Sequence, residues 1–354
     1  MTGELRYNPE MLTLAREAAR LSQTDLARLT PYAQSVISCM ESRQLPISAD
    51  NVHYFAKALD LPESFFAQTD RIYGLGASFL YHRKRQSMSN VDLRKVEADA
   101  NIIRMQLANM LRGIEWIQEN SFVPMEVGLH GTPSEIAKLL RTAWRLPSGP
   151  VRNLASAAEN AGAVIVYYRF HINEVDGIHT WVTGLPPLFV LNGNMPGDRV
   201  RWTLAHEIGH AIMHRDPTID IESEADTFAS ELLMPAKDIM QDLRDLTLPK
   251  AAALKLTWKV SMQALIRRAR DVGAITDSKY KSLYVQLSKA GFKRKEPNEV
   301  PVEQANTLRN LIDVHMTINP DSAESLSALA RANPTGFRKT YFDDPSNPQL
   351  RLAT

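Results

Sequence analysis

Apolar residues recur at helical spacing through the first 66 positions of the chain. Segments 10–21, 24–29, 33–41 and 49–61 each place apolar side chains three or four positions apart, and Ser, Pro and Asp separate the segments. A longer periodic segment runs from about residue 91 to residue 117. We expect a compact all-helical unit over residues 9–66, joined by one extended helix to the remainder of the chain.

The pattern changes after residue 133. Two helical segments, EIAKLLRTAWRL and VRNLASAAENA, precede AVIVYY and LFVLN, whose β-branched and aromatic residues predict strands. Helical spacing returns over 198–214 and 222–233, and the remainder is mostly helical. The predicted fold class is a multidomain protein with an all-α domain (1–70), a linker and long helix (71–132), an α+β core (133–240) and a mostly helical C-terminal region (241–354).

Composition and charge limit the class of protein. The 354 residues are 44% hydrophobic, and a net charge of +1 indicates neither a nucleic-acid binder nor an acidic-surface protein. Cys39 is the single cysteine, which excludes an internal disulfide and is typical of a reducing compartment. No apolar stretch is long enough to span a bilayer, and the N-terminus does not resemble a signal peptide. We expect a cytoplasmic protein without a membrane partner.

The segment TLAHEIGHAIMH (203–214) carries the clearest chemical signal. His206 and His210 lie four positions apart, so a helix would place both imidazoles on one face, with Cβ atoms about 6 Å apart. Zinc held in this way keeps an open position for water, and Glu207 could take the proton of that water. The spacing therefore favours a zinc site for peptide hydrolysis. The alternative is an amphipathic helix with two histidines facing solvent.

A catalytic zinc needs a third protein ligand, which the next predicted helix can supply. Asp216 stands six residues after His210, where some zinc peptidases have another histidine. In IESEADTFASELLMP, Glu222 and Asp226 share a helix face at four-residue spacing. We predict that Glu222 completes the site and that Asp226 accepts a hydrogen bond from a ligand histidine. The alternative is an acidic first turn that complements the helix N-terminus.

Residue spacing says less about the role of His214 and about which residue would stabilise an oxyanion. His214 lies eight residues after His206, about 12 Å along a helix axis, which is too far to share its metal ion. We expect a structural or supporting role for it. A donor that stabilises an oxyanion could be His179 or a tyrosine near Tyr167, and the spacing selects neither.

These motifs together resemble the bacterial ImmA/IrrE metallopeptidases. The resemblance rests on TLAHEIGHAIMH, the downstream ESEADTFASELLMP and the upstream strand LFVLN, and it covers about residues 133–290, including SMQALIRRARDVGAIT. It implies a zincin-like α+β domain with zinc at His206, His210 and Glu222 and with Glu207 as general base. It also implies an intracellular endopeptidase that cleaves a protein substrate such as a repressor.

The N-terminal segment LSQTDLARLTPYAQSVISCMESRQLP resembles the helix-turn-helix of the Xre and lambda-repressor-like family, over about residues 9–66. The resemblance implies specific contact with a DNA operator site. It places Gln23 at a phosphate contact and Gln34, Ser35 and Cys39 on the face of the recognition helix that meets base edges. It also implies a homodimer, because such modules bind paired half-sites.

Two positions depart from the pattern of that family. Pro31 replaces the glycine of the turn between the helices, although proline cannot adopt a positive φ. Arg43 replaces a second glycine and adds a cation that could bind phosphate. Residues 1–70 hold six basic and nine acidic side chains, a net charge of −3, which is unfavourable for phosphate binding. The alternative is a helical protein-interaction or dimerisation module.

Positive charge is concentrated elsewhere in the chain. Residues 250–295 hold twelve basic and two acidic side chains, a net charge of +10, and a shorter basic run covers 82–85. Either could bind DNA or an acidic substrate. We favour a solvated helical surface for 250–295, because no aromatic platform accompanies it.

Three hypotheses for the whole chain follow. The first is a DNA-binding regulator with a zinc-dependent endopeptidase domain that cleaves a repressor or antitoxin in a stress or phage-type response. The second is a transcriptional regulator whose peptidase-like domain is a non-catalytic sensor or dimerisation unit. The third is the antitoxin-like half of a toxin pair.

Overall fold

The computed structural model describes residues 7–74, 88–116, 118, 120–214, 220–318 and 322–342. Contacts divide the chain into two compact units. The first comprises the described residues within Met1–Trp116, Phe170–Glu174 and Arg309–Thr354, and the second those within Ile117–Arg169 and Val175–Leu308. These units are a different division from the four predicted segments, whose boundaries stay predictions. The basic run 82–85 lies outside the described residues.

The first unit is helical in its described part. Its helices are α1 (Pro9–Ala18), α2 (Gln23–Leu29), α3 (Gln34–Glu41), α4 (Ala49–Leu59), α5 (Glu63–Phe66), α6 (Asn90–Met110), α15 (Thr307–Ile318, from Arg309 onward), α16 (Ser322–Leu329) and α17 (Pro334–Tyr341). Polar side chains cap most of the N-termini: Ser22 and Ser48 form capping boxes with Asp25 and Asn51. The predicted all-helical N-terminal segment is therefore confirmed as helical.

The apolar faces of α1 to α5 pack into one core. Met11, Leu26, Ile37, Phe55 and Phe66 are fully buried there, and Met105 of α6 belongs to the same cluster. The predicted long helix ends at Met110 rather than near residue 117, and Gly113 follows with a positive φ of 79°. That conformation favours glycine and is incompatible with a continuing helix.

The second unit combines helices with a small sheet. Its helices are α7 (Pro133–Ala143), α8 (Leu154–Asn160), α9 (Gly197–Met213), α10 (Ile221–Leu233), α11 (Ala236–Leu243), α12 (Leu248–Trp258), α13 (Met262–Asp271) and α14 (Asp277–Lys289). Its strands are β1 (Val164–Tyr168), β2 (Gly177–Thr180) and β3 (Leu188–Asn192). The predicted helices of this region and the strands β1 and β3 are confirmed.

The sheet has the strand order β1, β3, β2. β1 and β3 are parallel, with Val166 opposite Val190, whereas β2 runs antiparallel to β3, with His179 opposite Phe189. No sequence pattern predicted β2, because its four residues GIHT include a glycine and too few apolar positions to show alternation. Its outer edge pairs with no strand of the described chain, so β2 is the edge strand next to the helix that carries the HExxH motif.

Helices α9 and α10 pack closely against each other. Gly209 of α9 allows this approach, since a Cβ atom there would lie 2.9 Å from Cδ1 of the fully buried Phe228 and 3.5 Å from Cα of Ala225. On the other side of α9, Gly177 of β2 allows an equally close contact, with its Cβ position 2.7 Å from Thr203. Two glycines therefore bring α10 and β2 within reach of the polar side chains of α9.

Candidate metal centre

Helix α9 presents His206, Glu207 and His210 to the interior of the second unit. Each is at least 92% buried, and Leu204 and Ile208 pack into the core beside them. The two histidines lie one helical turn apart, as the four-residue spacing predicts. They do not face solvent, so the alternative of an amphipathic helix with two exposed histidines is wrong.

The two histidines and Glu222 of α10 bring their donor atoms together. Nε2 of His206 and Nε2 of His210 are 2.9 Å apart, and the Glu222 carboxylate lies 3.3 Å from His210 Nε2 and 3.6 Å from His206 Nε2. Two ligands about 2.1 Å from a tetrahedral zinc are about 3.4 Å apart. The three separations bracket this value, so the donor set and its size suit zinc. In the described part of the chain, no other histidine, cysteine and carboxylate cluster of this kind occurs.

Each far ring nitrogen of the two histidines has its own partner. Nδ1 of His206 lies 3.0 Å from Oδ1 of Asp226, the residue predicted for this contact. Nδ1 of His210 lies 2.8 Å from Nδ1 of His214, and Nε2 of His214 lies 2.9 Å from Oε2 of Glu224. The contact of Glu224 was not predicted, because the sequence shows only that this side chain does not share the face of Glu222.

Burial and hydrogen bonding set the charges of the two candidate ligands in opposite directions. Burial by itself lowers the pKa of His206, but hydrogen bonds to Asp226 and Glu222 outweigh it and raise that pKa. Burial lowers the pKa of His210, and the contact with Glu222 does not compensate. The raised pKa favours the protonated form of His206 and the lowered pKa the neutral form of His210, so a cation bound between the two Nε2 atoms would displace a proton.

Glu207 lies on the same helix with its carboxylate held by β2. Nδ1 of His179 lies 2.7 Å from Oε2 of Glu207. Burial by itself raises the pKa of the Glu207 carboxyl, but the His179 hydrogen bond and the neighbouring imidazoles outweigh it and lower that pKa. Tyr167, the other candidate for oxyanion stabilisation, donates its hydroxyl to the backbone oxygen of Glu303 at 2.6 Å. The geometry therefore favours His179 over Tyr167 for a role near Glu207.

The residues predicted to contact DNA lie on α2, α3 and the segment after them. Nε2 of Gln34 donates to Oε1 of Gln23 at 2.7 Å, and Nε2 of Gln23 donates to Glu41 at 2.8 Å. Gln34 and Ser35 are exposed, whereas Cys39 is half-buried. The structure therefore leaves Cys39 less accessible for a base contact than Gln34 and Ser35.

The two departures from the helix-turn-helix pattern have separate structural outcomes. At the Pro31 turn, Thr30 ends α2 in an extended conformation, and its hydroxyl donates to the backbone oxygen of Leu26 at 2.9 Å. None of residues 30–33 has a positive φ. Arg43 does adopt a positive φ of 63°, the conformation that glycine favours, and its guanidinium group contacts Glu10. No role in DNA binding follows from this geometry alone.

Comparison with known families supports one domain of the chain. Residues 158–270 match the model of a peptidase family described as the IrrE N-terminal-like domain. The match covers about a third of the chain and includes β1 to β3, α9 to α12 and all but the last residue of α13. No curated protein matches the sequence. The match supports the predicted ImmA/IrrE-type peptidase domain and, with the converging donor atoms, a metal site at His206, His210 and Glu222.

None of the described helices combines the length and the apolar character that crossing a membrane requires.

Proposed function

We propose that the second unit is a zinc-dependent endopeptidase with a protein substrate. The observation that carries the proposal is the convergence of His206, His210 and Glu222 beside the buried Glu207. His206, His210 and Glu222 would hold the ion. When bound, zinc would polarise the substrate carbonyl and make a water molecule acidic.

Glu207 is the residue that would move the proton. Its carboxylate would accept the proton of the attacking water and deliver it to the nitrogen of the leaving peptide. His179 holds this carboxylate in place at 2.7 Å and lowers its pKa, which keeps the group ionised and able to accept. Asp226 holds His206 at 3.0 Å in the tautomer whose Nε2 lone pair faces the donor cluster.

The edge strand β2 supports a polypeptide rather than a small molecule as substrate. Its outer edge has no strand partner in the described chain, and its residue His179 contacts Glu207. An extended peptide could pair with such an edge through main-chain hydrogen bonds, which bind without dependence on sequence. Pairing there would place a backbone carbonyl near the donor cluster. A repressor or antitoxin remains our proposed substrate class, because it follows from the resemblance to ImmA/IrrE proteins.

The test combines metal content with turnover. Elemental mass spectrometry of protein purified without a histidine tag should give about one zinc per chain, and Glu222→Ala should lower that value. Incubation with a library of proteome-derived peptides should then give cleavage by the wild type. Glu207→Gln should retain zinc and lose cleavage by at least about 10³-fold, since it removes the proton acceptor. Equal cleavage by Glu207→Gln would overturn the catalytic assignment.

We propose in addition that α2 and α3 contact a DNA operator. Gln23 holds the exposed Gln34 by a direct hydrogen bond, and an amide held in this way suits bidentate contact with adenine. The net charge of −3 over residues 1–70 predicts weak phosphate binding and a shallow dependence of affinity on salt. Selection from random duplexes, followed by fluorescence anisotropy, tests this proposal. Gln34→Ala with Ser35→Ala should abolish the preference for the selected sequence, and retention of the preference would exclude α3 as the reading helix.

Glu207→Gln and the Gln34 and Ser35 double variant also distinguish two hypotheses for the whole chain: a regulator with an active protease and a regulator with a non-catalytic sensor domain. If proteolysis is the output, Glu207→Gln abolishes regulation in cells. If the peptidase-like domain only senses a ligand or supports dimerisation, Glu207→Gln preserves regulation and the Gln34 and Ser35 double variant abolishes it. A homodimer is our proposal for the DNA-bound form, and sedimentation of the protein with the selected duplex measures the number of chains in the complex.

A further inference from the structure

The two candidate histidine ligands are supported differently at their far nitrogens. Nδ1 of His206 contacts the carboxylate of Asp226 directly. Nδ1 of His210 instead contacts a second imidazole, that of His214, at 2.8 Å, and this imidazole contacts Glu224 at 2.9 Å. Glu224, His214 and His210 thus form a chain of hydrogen bonds that ends at the donor cluster.

The direction of each hydrogen bond follows from counting protons. A His210 that binds a cation must direct the lone pair of Nε2 at the cluster, so its N–H is at Nδ1. That N–H donates to Nδ1 of His214, which must then carry its own N–H at Nε2. The latter group donates to Oε2 of Glu224. Each proton in the chain has one acceptor, and reversing any one bond would place a proton between Nε2 of His210 and the cation.

We propose that Glu224 and His214 are positioning residues that hold His210 in the tautomer competent to bind a divalent cation, with zinc the cation that the donor set suits. The inference rests on the proposed metal centre and assigns new roles to two residues outside it. His214 caps the end of α9, where its backbone N–H bonds to His210 at 3.0 Å, and Glu224 lies in the first turn of α10. The side chain of His214 is 2% exposed, so its ring has little freedom to rotate.

A structural role and a positioning role predict different results for the same variants. If His214 only fills space, its replacement lowers the melting temperature of the metal-free protein and leaves the affinity for zinc unchanged. If it positions His210, replacement by alanine weakens zinc binding about 10- to 100-fold. Asparagine at this position keeps an acceptor near the place of Nδ1, so His214→Asn should restore most of the affinity.

The experiment measures zinc affinity by competition with a chromophoric chelator, with the melting temperature of each metal-free variant in parallel. His214→Ala should weaken binding, His214→Asn should bind within about threefold of the wild type, and Glu224→Ala should weaken binding only while His214 is present. His171→Asn is the matched control, since it breaks another histidine–carboxylate contact of 2.9 Å, with Asp92 in the first unit, and should leave affinity unchanged.

The outcomes distinguish a failure of the positioning role of Glu224 and His214 from a failure of the proposed metal centre. Equal zinc affinities for the wild type and His214→Ala would overturn the positioning role and leave the proposed function intact. A loss in His214→Ala that His214→Asn does not restore, with an equal loss of melting temperature, would also overturn it. Absence of zinc binding by the wild type would overturn both.

Discussion

Asp226 is a surface side chain that acts on a buried one. Its side chain is 62% exposed, while the side chain of His206, which it contacts at 3.0 Å, is 10% exposed. Water screens the exposed Asp226 carboxylate, so its contact with His206 contributes only modestly to the free energy of unfolding. The same hydrogen bond favours the tautomer of His206 whose Nε2 lone pair can bind a metal ion, so its loss should weaken metal binding strongly. Stability and function should therefore separate at this residue.

We expect Asp226→Ala to weaken zinc binding about 10- to 100-fold and to lower the melting temperature of the metal-free protein only slightly. The loss arises because His206 can then rotate or carry its proton at Nε2. The chelator competition measures it. Asp271→Ala removes another exposed carboxylate, which pairs with Arg267, and serves as the control. Equal zinc affinities for Asp226→Ala and the wild type would refute the role assigned to Asp226.

Arg43 offers a separate test of backbone strain. Its φ of 63° is unfavourable for any residue with a Cβ atom, whereas its contact with Glu10 involves a guanidinium group that is 65% exposed. We expect Arg43→Gly to be about 1 kcal/mol more stable than Arg43→Ala, because both lose the ion pair and only glycine relieves the backbone. Chemical denaturation of the two variants gives the difference. A difference near zero would mean that residue 43 is not strained.

At the scale of elements, the contact between α9 and α10 sets the geometry of the donor cluster. Alanine normally stabilises a helix relative to glycine by about 1 kcal/mol. At Gly209 that gain meets a Cβ position 2.9 Å from the ring of Phe228, which is fully buried and cannot move aside. Steric overlap should win, because overpacking a tight core costs about 1–3 kcal/mol.

We therefore expect Gly209→Ala to destabilise the metal-free protein and to weaken zinc binding, because it pushes Glu222 away from the two histidines. Calorimetry and the chelator competition report the two effects. Gly336→Ala is the matched control: Gly336 also lies in a helix, α17, but nothing surrounds its Cβ position within 4 Å. This control should be neutral or slightly stabilising. A stabilised Gly209→Ala would show that the helices can separate at little cost.

Periodicity predicted elements well where the pattern was long. Helices α9 and α10 and the strands β1 and β3 follow from spacing along one element, whereas Glu222 and Asp226 were placed near the histidines because a catalytic zinc needs a third protein ligand. The contact between His179 and Glu207 does not, since β2 is short and its register depends on pairing with β3. The sequence indicated only a structural or supporting role for His214 and none for Glu224, because their contacts depend on how two helices pack rather than on either helix alone.

At the scale of the whole chain, the C-terminal helices α15 to α17 are part of the same compact unit as the N-terminal helices α1 to α6. Tyr341 donates its hydroxyl to Gln106 at 2.7 Å, His315 contacts the backbone oxygen of Met110 at 2.6 Å, and Phe337 is 1% exposed. No sequence pattern indicated this return, because contacts between segments more than 200 residues apart leave no periodic signal. The predicted C-terminal region 241–354 showed only its helical content.

Deletion of residues 309–354 should therefore destabilise the first unit and spare the second. Each large buried side chain that is lost contributes about 1.5–3 kcal/mol, so removal of Phe337 and Tyr341 alone should cost about 3–6 kcal/mol. Scanning calorimetry with and without zinc can assign the transitions, since zinc should raise only the one that reports on residues 206–222. A shift of that zinc-dependent transition on truncation would contradict the division into two units.

The glycine between the two histidines has one more consequence, for the choice of ion. The separation of α9 and α10 fixes how far the Glu222 oxygen stands from the two imidazoles, and hence the radius of the sphere that all three donors can touch. Gly209 has no metal-binding side-chain atom, yet it influences the size of the ion that the three donors can bind, because it sets the separation of the helices. A bulkier residue there would select for larger cations before it abolished binding. The spacing of α9 and α10 would then determine part of the metal preference of this protein.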